Sequence, residues 1–507
     1  MQLVWFKRDL RVEDHEPLHR AADRGPVIPL YIVEPGLWQQ PDMAGRHWAF
    51  VRESLLELRA SLAQLGQPLV VRLGDAPALL ALLCRKHEVS DIWSHQETGN
   101  QWTYRRDQQV AETLRALGVN WHECRQHGVV RGRCDRDQWS RQFEELMRRP
   151  RFVPRALPAI PGLDPGEVPE WPDRALAADP CPGRQKGGRL AAERILDSFL
   201  HRRGGRYHRE MSSPLTATRS CSRLSPHLAW GTLAMREALQ ATRLRRAQLQ
   251  HPSGSAESWG RALSAFEGRL HWHCHFIQKL ESEPRIEFEN LQRATADLRG
   301  QDCDPVRLQA WAIGRTGWPL VDACMRALHH DGWINFRMRA MLISVASYQL
   351  WLPWREPALH LARQFVDYEP GIHYPQVQMQ SGTTGINTLR IYNPVKQSLE
   401  QDSEGAFIRT WVPELGRVSD AWIHAPWQMP TRAQRACGTR IGEHYPAPLV
   451  DHEAAARRAR AAIIRARRKP GASQEGRRIL QRHGSRKRRA APARKDPRQG
   501  ELFGDDA

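Results

Sequence analysis

The sequence predicts an α/β domain on a doubly wound parallel sheet, followed by an all-α domain. Three observations carry this: strand–helix alternation over residues 1–130, a Pro-rich break after it, and helical periodicity from 188 to 468.

The strands come first. QLVWF, VIPLYIV, PLVVRLG, DIWSHQ and VNWHECR are short apolar runs, as parallel strands covered on both faces should be. Helical patterns at 48–65 and 102–117 separate them. No GxGxxG follows the first run, so the dinucleotide-binding fingerprint is missing. Residues 131–187 read as a linker, and its Pro-rich part (152–184) as an extended surface segment. In RLAAERILDSFL, SPHLAWGTLAMREALQAT, WGRALSAFEGRLHWHCHFIQKLE, VDACMRALHHDGWINFRMRAMLISVASYQLW and HEAAARRARAAIIRARR, apolar residues recur three and four apart. Residues 469–507 turn to Gly, Ser, Arg and Lys and read as a basic, disordered tail.

The 507 residues carry a net charge of +19. The tail holds 11 Lys/Arg against 5 Asp/Glu, so most of the excess lies on the folded part. An acidic polymer is the expected partner, with a generally Arg-rich composition as the plain alternative. Nine scattered Cys contain no CxxC, which excludes a zinc ribbon and an ordinary four-Cys cluster spacing and suits a reducing cytoplasm. No membrane span and no signal peptide is visible, so the expectation is a soluble, cytoplasmic monomer.

Two segments suggest a site. Residues 367–394, DYEPGIHYPQVQMQSGTTGINTLRIYNP, are polar and aperiodic between helical patterns, and long irregular segments in compact domains are usually functional. Residues 220–231, SCSRLSPHLAWG, put hydroxyls and Arg223 ahead of a helix, where unpaired N–H groups suit phosphate. An ordinary N-cap with a surface Arg is the simpler reading of that motif alone.

Six ordered motifs shift the balance: WFKRDLRVEDHEPL, YHREMSSPLTATRSCSRLSPHLAWG, TGWPLVDACMRALHHDGWINFRMR, WREPALHLARQFVDYEPG, RIYNPVKQSLEQD and YPAPLVDHEAAARRAR. Together they resemble the photolyase/cryptochrome flavoprotein family from residue 1 to about 468. The resemblance implies an N-terminal antenna domain (1–130), a helical FAD-binding domain (188–468), and light-driven repair of pyrimidine dimers in UV-damaged DNA. Cryptochromes, with the same fold, signal instead.

By resemblance, Tyr207 and the run Cys221, Ser222, Arg223, Leu224 and Ser225 clamp the FAD phosphates, with Cys221 replacing the family's usual Thr. Arg337, Arg339 and Asp367 match the groups beside the flavin ring; Tyr368, Glu369 and His273 join the cofactor set. His373 matches the residue facing flavin N5, usually Asn, Asp or Cys, and its protonation is left open. Trp272, His373 and Met379 are the catalytic candidates. Trp272 matches the aromatic that stacks on a flipped dimer, and Met379 stands where a second Trp is usual. Arg269, Trp272 and Phe336 form the expected DNA contact. Arg269 replaces an acid that a local shift could restore through Glu267, and Phe336 replaces Asn or His, so the lesion type is left open. Trp311 and Trp354 match the outer and middle members of an electron-carrying Trp chain, but Val377 replaces the inner one. That chain is therefore broken, or rerouted through Tyr374, Tyr392, Trp351 or Trp318.

An iron–sulfur branch of the family is excluded, because only Cys437 lies in the C-terminal region. His271 and His275 have the spacing of a two-His ligand pair but no carboxylate to complete a site, so no metal is expected. The three His of HWHCH are assigned to the flavin and DNA cleft. A second chromophore (folate, deazaflavin or flavin) is implied for the antenna domain, near His95, Glu97 and Asn100. In the tail, QGELF resembles a sliding-clamp docking peptide through Gln499, Leu502 and Phe503. A light-independent redox enzyme is disfavoured by the missing Gly-rich fingerprint.

Overall fold

The structure is a computed structural model and describes residues 1–132, 134–249, 254–300 and 302–486. Each of the five apolar runs forms a strand: β1 (Gln2–Phe6), β2 (Val27–Val33), β3 (Val70–Leu73), β4 (Asp91–His95) and β5 (Asn120–Cys124). Among the described residues they make one all-parallel sheet in the order β3-β2-β1-β4-β5. The order reverses between β1 and β4, and a cleft opens at the carboxyl ends of these strands, where doubly wound sheets bind ligands. Helices α1 (Glu16–Ala22), α2 (Gly45–Gln64), α3 (Ala76–His87) and α4 (Gln101–Ala116) cover the sheet. Every residue of β1 and β2 is buried, which explains their unbroken apolar patterns.

The loop after β1 joins the two halves. Arg8 donates from Nε to the Ala229 carbonyl (3.0 Å) and from Nη2 to that of Tyr368 (2.6 Å). Buried Arg11 donates to the Gly231 carbonyl (2.9 Å). Gly231 has φ +67°, and a Cβ there would lie 2.2 Å from the Arg8 carbonyl oxygen, so the close approach requires glycine.

The helical half begins with α5 (Arg136–Arg148), which lies inside the stretch read as linker. Trp139, Phe143, Leu146 and Met147 are buried on one side of it, and this short helical stripe was masked by the Pro-rich run that follows. Then come α6 (Arg189–Ser198), α7 (Met235–Gln248), α8 (Gly254–Ser282), α9 (Pro319–Asp331), α10 (Phe336–Ser344), α11 (Arg355–Gln364), α12 (Pro370–Ser381) and α13 (His452–Arg467), with shorter helices between. Helix α12 corrects the reading of 367–394 as wholly irregular. Glu369 caps it by accepting from the Gly371 N–H, Pro370 opens it, and Gly382 (φ +75°) ends it. Most of α12 is buried, which removes the periodic signal.

The tail also departs from expectation. Residues 472–483 form α14 (Ala472–His483), docked through buried Ala472, Ile479 and His483. Glu475 accepts the Arg293 N–H (3.0 Å), and His483 Nε2 lies 2.6 Å from a Glu283 carboxylate oxygen. The Gly, Ser, Arg and Lys composition predicts disorder, but α14 needs only one narrow apolar stripe. Gln499, Leu502 and Phe503 lie outside the described residues. No helix among the described residues is long and apolar enough to cross a membrane.

Candidate functional site

The Cys221–Ser225 run lies within electrostatic reach of Arg269 on α8 and Arg339 on α10. The helix it opens, Ser225–Ala229, is five residues long, so its dipole is slight. Side chains supply the charge instead. Buried Cys221 has Arg223, Arg203, Arg269 and Arg339 around it, and burial holds its thiol up at about 12. Arg203 is spent on the loop itself, donating to the carbonyls of Arg219, Cys221 and Ser222. Arg223 takes φ +60°, sets its guanidinium 4.2 Å over the Trp333 ring, and donates from Nε to Gln185 (3.0 Å). Ser225 Oγ accepts the Trp333 indole N–H, the Ser222 oxygen accepts from Leu224 N–H, and Leu224 is buried. Tyr207 is buried edge-on against Phe199 and Phe266 with its hydroxyl beside Arg269, and burial raises its pKa.

On α10, Arg339 grips Asp367 with both terminal nitrogens, at 3.0 and 2.8 Å. This fork-on-carboxylate geometry fixes both groups. Arg337 does not share the grip: two residues earlier, it lies about 200° round the helix from Arg339. Glu369 is held by Arg8 at 3.5 Å, and burial raises its carboxyl pKa. His373 donates Nε2–H to the Ala358 carbonyl (2.8 Å), and burial pulls its pKa down to about 4. It is therefore neutral, with Nδ1 as its accepting nitrogen.

The three His of HWHCH part company. His271 packs edge-on against Trp139 and Phe143, and His275 Nδ1 faces Arg136 at 2.5 Å. Only His273 stays on the Asp367 side. Its Nδ1 is shut from solvent without a partner, and burial, then Arg8, pull its pKa down to about 4. Arg269, one turn before Trp272, lies 5.7 Å from the exposed Phe336 ring. Trp272 is half-buried against His275 and Phe276, and Met379 is half-buried on α12. Glu267 cannot replace Arg269, because it pairs with Arg243 and Arg246 on another side of α8. Trp311 is fully buried against His360, not at the surface as an outer electron relay should be. Trp354 is anchored to Asn290 (2.6 Å).

The sequence reading missed Arg203, Trp333 and Asn335. Asn335 is buried, donates to the Met211 and Ser212 carbonyls, and keeps Oδ1 unpartnered. Placed just before a helix, it passes for an ordinary cap. These elements thus supply several guanidinium groups, two orphaned buried polar atoms (His273 Nδ1 and Asn335 Oδ1) and the Arg339–Asp367 clamp. That donor set fits a dinucleotide with an anionic pyrophosphate and a polar ring.

A second cleft lies at the switch point of the sheet. Trp5, Arg8, Glu97, Asn100, Arg106 and Trp230 line it, with Tyr368 from the helical half. Arg106 binds both Glu34 and Glu97, and burial lifts the Glu34 carboxyl to about 7. His95 belongs elsewhere. Asp9 Oδ2 accepts from His15 Nε2 (2.9 Å) and His95 Nδ1 (2.7 Å), while His15 Nδ1 accepts the Leu18 N–H. The three side chains are close enough to hold an ion. However, the Leu18 bond fixes the proton on His15 Nε2, which leaves no lone pair there for a metal.

Comparison with known proteins accords with this geometry. A family model described as DNA photolyase matches residues 2–137, and one described as the FAD binding domain of DNA photolyase matches residues 266–465. The deoxyribodipyrimidine photo-lyase of Streptomyces griseus is 30% identical over 469 residues, covering 89% of this chain and 96% of that protein. The chain belongs to the photolyase/cryptochrome family. Within that family, a cryptochrome DASH of Gloeobacter violaceus is 28% identical, with 89% of this chain and 93% of that protein covered. Among solved members, a bacterial class III photolyase from Agrobacterium tumefaciens superposes with a TM-score of 0.80 at 25% identity, over 92% of this chain and 98% of that one.

Proposed function

We propose that this chain is a blue-light-driven DNA lyase that repairs UV-induced pyrimidine dimers with FAD. One observation carries the reading. Guanidinium groups gather around the Cys221–Ser225 run, and one of them, Arg269, stands beside the exposed Phe336 with Trp272 one turn along α8. Cations interleaved with aromatic rings are what an extruded nucleotide stacks on. When bound, reduced FAD supplies a photon-driven electron to the dimer.

The protein's part is placement. Tyr207 and Arg223 receive the pyrophosphate with the Cys221–Ser225 loop, Arg269 faces the extruded nucleotide, and Arg339 and Asp367 fix the ring edge. His273 and Asn335 give their unpartnered atoms to the cofactor. Neutral His373 offers an acceptor at Nδ1 and no proton at neutral pH. The second cleft takes an antenna chromophore of the folate, deazaflavin or flavin class, through Trp5, Trp230, Glu97 and Arg106. The positive charge of the folded part serves the phosphate backbone, and binding weakens steeply with salt.

The test mixes photoreduced protein with oligonucleotides carrying either a cyclobutane or a (6-4) dimer, illuminates them, and follows restoration of the bases. Repair of one lesion is expected; no repair of either sinks the reading. A photoreceptor role is the second reading, favoured by the docked helix α14. Light-dependent protease sensitivity of α14 without repair would support it. Clamp docking through Gln499, Leu502 and Phe503 is a separate proposal, to be tested by pull-down with and without the last ten residues.

A further inference from the structure

Position 377 carries a buried valine where an oxidisable ring is expected, yet the space beside Trp354 is not empty of aromatics. Tyr374 lies one turn earlier on α12, on the same face, and is fully buried. Its ring centre is 6.5 Å from that of Trp354, at 74°. On its other side it meets the His373 ring at 5.4 Å.

Its hydroxyl enters a knot of three oxygens. Tyr368 donates to Asp42 Oδ2 at 2.6 Å and lies 3.4 Å from the Tyr374 hydroxyl, which is itself 3.5 Å from Asp42 Oδ2, the outer limit of a hydrogen bond. Asn100 also donates to this oxygen, at 3.0 Å. The other oxygen, Asp42 Oδ1, is buried without a partner. A buried carboxylate with an unused oxygen beside two phenols is a proton acceptor in waiting. Burial and Asp42 hold both phenols well above their ordinary pKa, so each keeps its proton in the resting protein.

We propose that Tyr374, with Tyr368 and Asp42, forms a proton-coupled relay that feeds electrons to the photoexcited flavin in place of a ring at position 377. This rests on the flavin reading above. Tyr374 gives one electron to the photoexcited oxidised flavin, and its phenolic proton passes to Asp42. The neutral tyrosyl radical then takes one electron from Trp354 as the proton returns from Asp42. An added thiol reductant refills Trp354. Electron and proton thus leave Tyr374 in different directions, toward the cofactor and toward the α/β half.

The test is blue-light photoreduction of the flavin-loaded full chain with a thiol, followed by transient absorption and by yield. The wild type should show a neutral tyrosyl radical, with a slowed rise in heavy water. Tyr374→Phe keeps the packing, and should lose that radical while retaining flavin. Asp42→Asn keeps a hydrogen-bond acceptor but removes the base, and should slow photoreduction about a hundredfold, the usual worth of a positioned proton acceptor. Photoreduction of Tyr374→Phe at the wild-type rate, or a first radical on tryptophan with no tyrosyl signal, overturns the relay and leaves the flavin reading intact. A chain that takes up no flavin, seen before any illumination, overturns both.

Discussion

Gly371 lies directly over Ile277, so close that a Cβ on it would sit 2.8 Å from the Ile277 Cα. This contact sets the spacing of α8, which carries Trp272 and His273, against α12, which carries His373. Gly371→Ala should force the two apart at a cost of about 1–3 kcal/mol. Thermal melting should fall and flavin content with it; a wild-type melt would refute the tight crossing.

Arg223 holds a left-handed backbone conformation, which costs a residue with a side chain about 1–2 kcal/mol relative to glycine. Arg223→Gly should therefore fold at least as well as Arg223→Ala, although both lose the guanidinium. Both should bind flavin more weakly. Equal melting temperatures for the two variants would count against the strained loop.

Arg339→Gln strips Asp367 of its paired donors while leaving the carboxylate buried. The expected loss is about 1.5–3 kcal/mol, the range for hydrogen bonds to a charged group. Adding Asp367→Asn should recover part of it in a double-mutant cycle by urea melting. Strict additivity would mean the two groups do not act together.

Buried histidines set the response to acid. Burial pulls His47 and His227 down to about 4, and His127 and His360 to about 3. The unfolded chain protonates these rings near pH 6.5 and the folded chain does not. Above that pH they leave stability untouched, and below it stability falls with pH down to the folded values of about 4 and 3. Each extra proton taken up on unfolding costs about 1.4 kcal/mol per pH unit. Calorimetry at pH 5 in buffers of different ionisation heat should register uptake of several protons; none would contradict the burial of these rings.

Ile479 is one of three buried residues that seat α14. Ile479→Ala should cost about 2 kcal/mol if the helix is docked, and hydrogen exchange over residues 472–483 should speed up. Unchanged melting and exchange would mean that α14 does not hold to the body.

Several parts of this molecule can be read from sequence because their signals are local. Parallel strands buried on both faces leave unbroken apolar runs, and all five declared themselves. The Arg339–Asp367 clamp was visible through the motifs around it. Other parts leave no local trace. Asp42 and Tyr368 are 326 residues apart, and nothing near either announces the bond. Helix α12 has no polar face to mark its period, and α14 has too narrow an apolar one for its charge. Arg203 looks like any surface arginine until three loop carbonyls are found around it.

The joint after β1 also imposes a timetable on synthesis. Arg8 and Arg11 leave the ribosome early, but the carbonyls that receive them, on Ala229 and Gly231, follow 221 and 220 residues later. At about 5–20 residues per second, that is a wait of roughly 10–45 s. Until then the bonds from Arg8 Nε and Arg11 Nη1 go to water, at the carboxyl end of β1, the central strand of the sheet. The nascent α/β half therefore cannot seal itself, and the second half must grow around a socket left ajar.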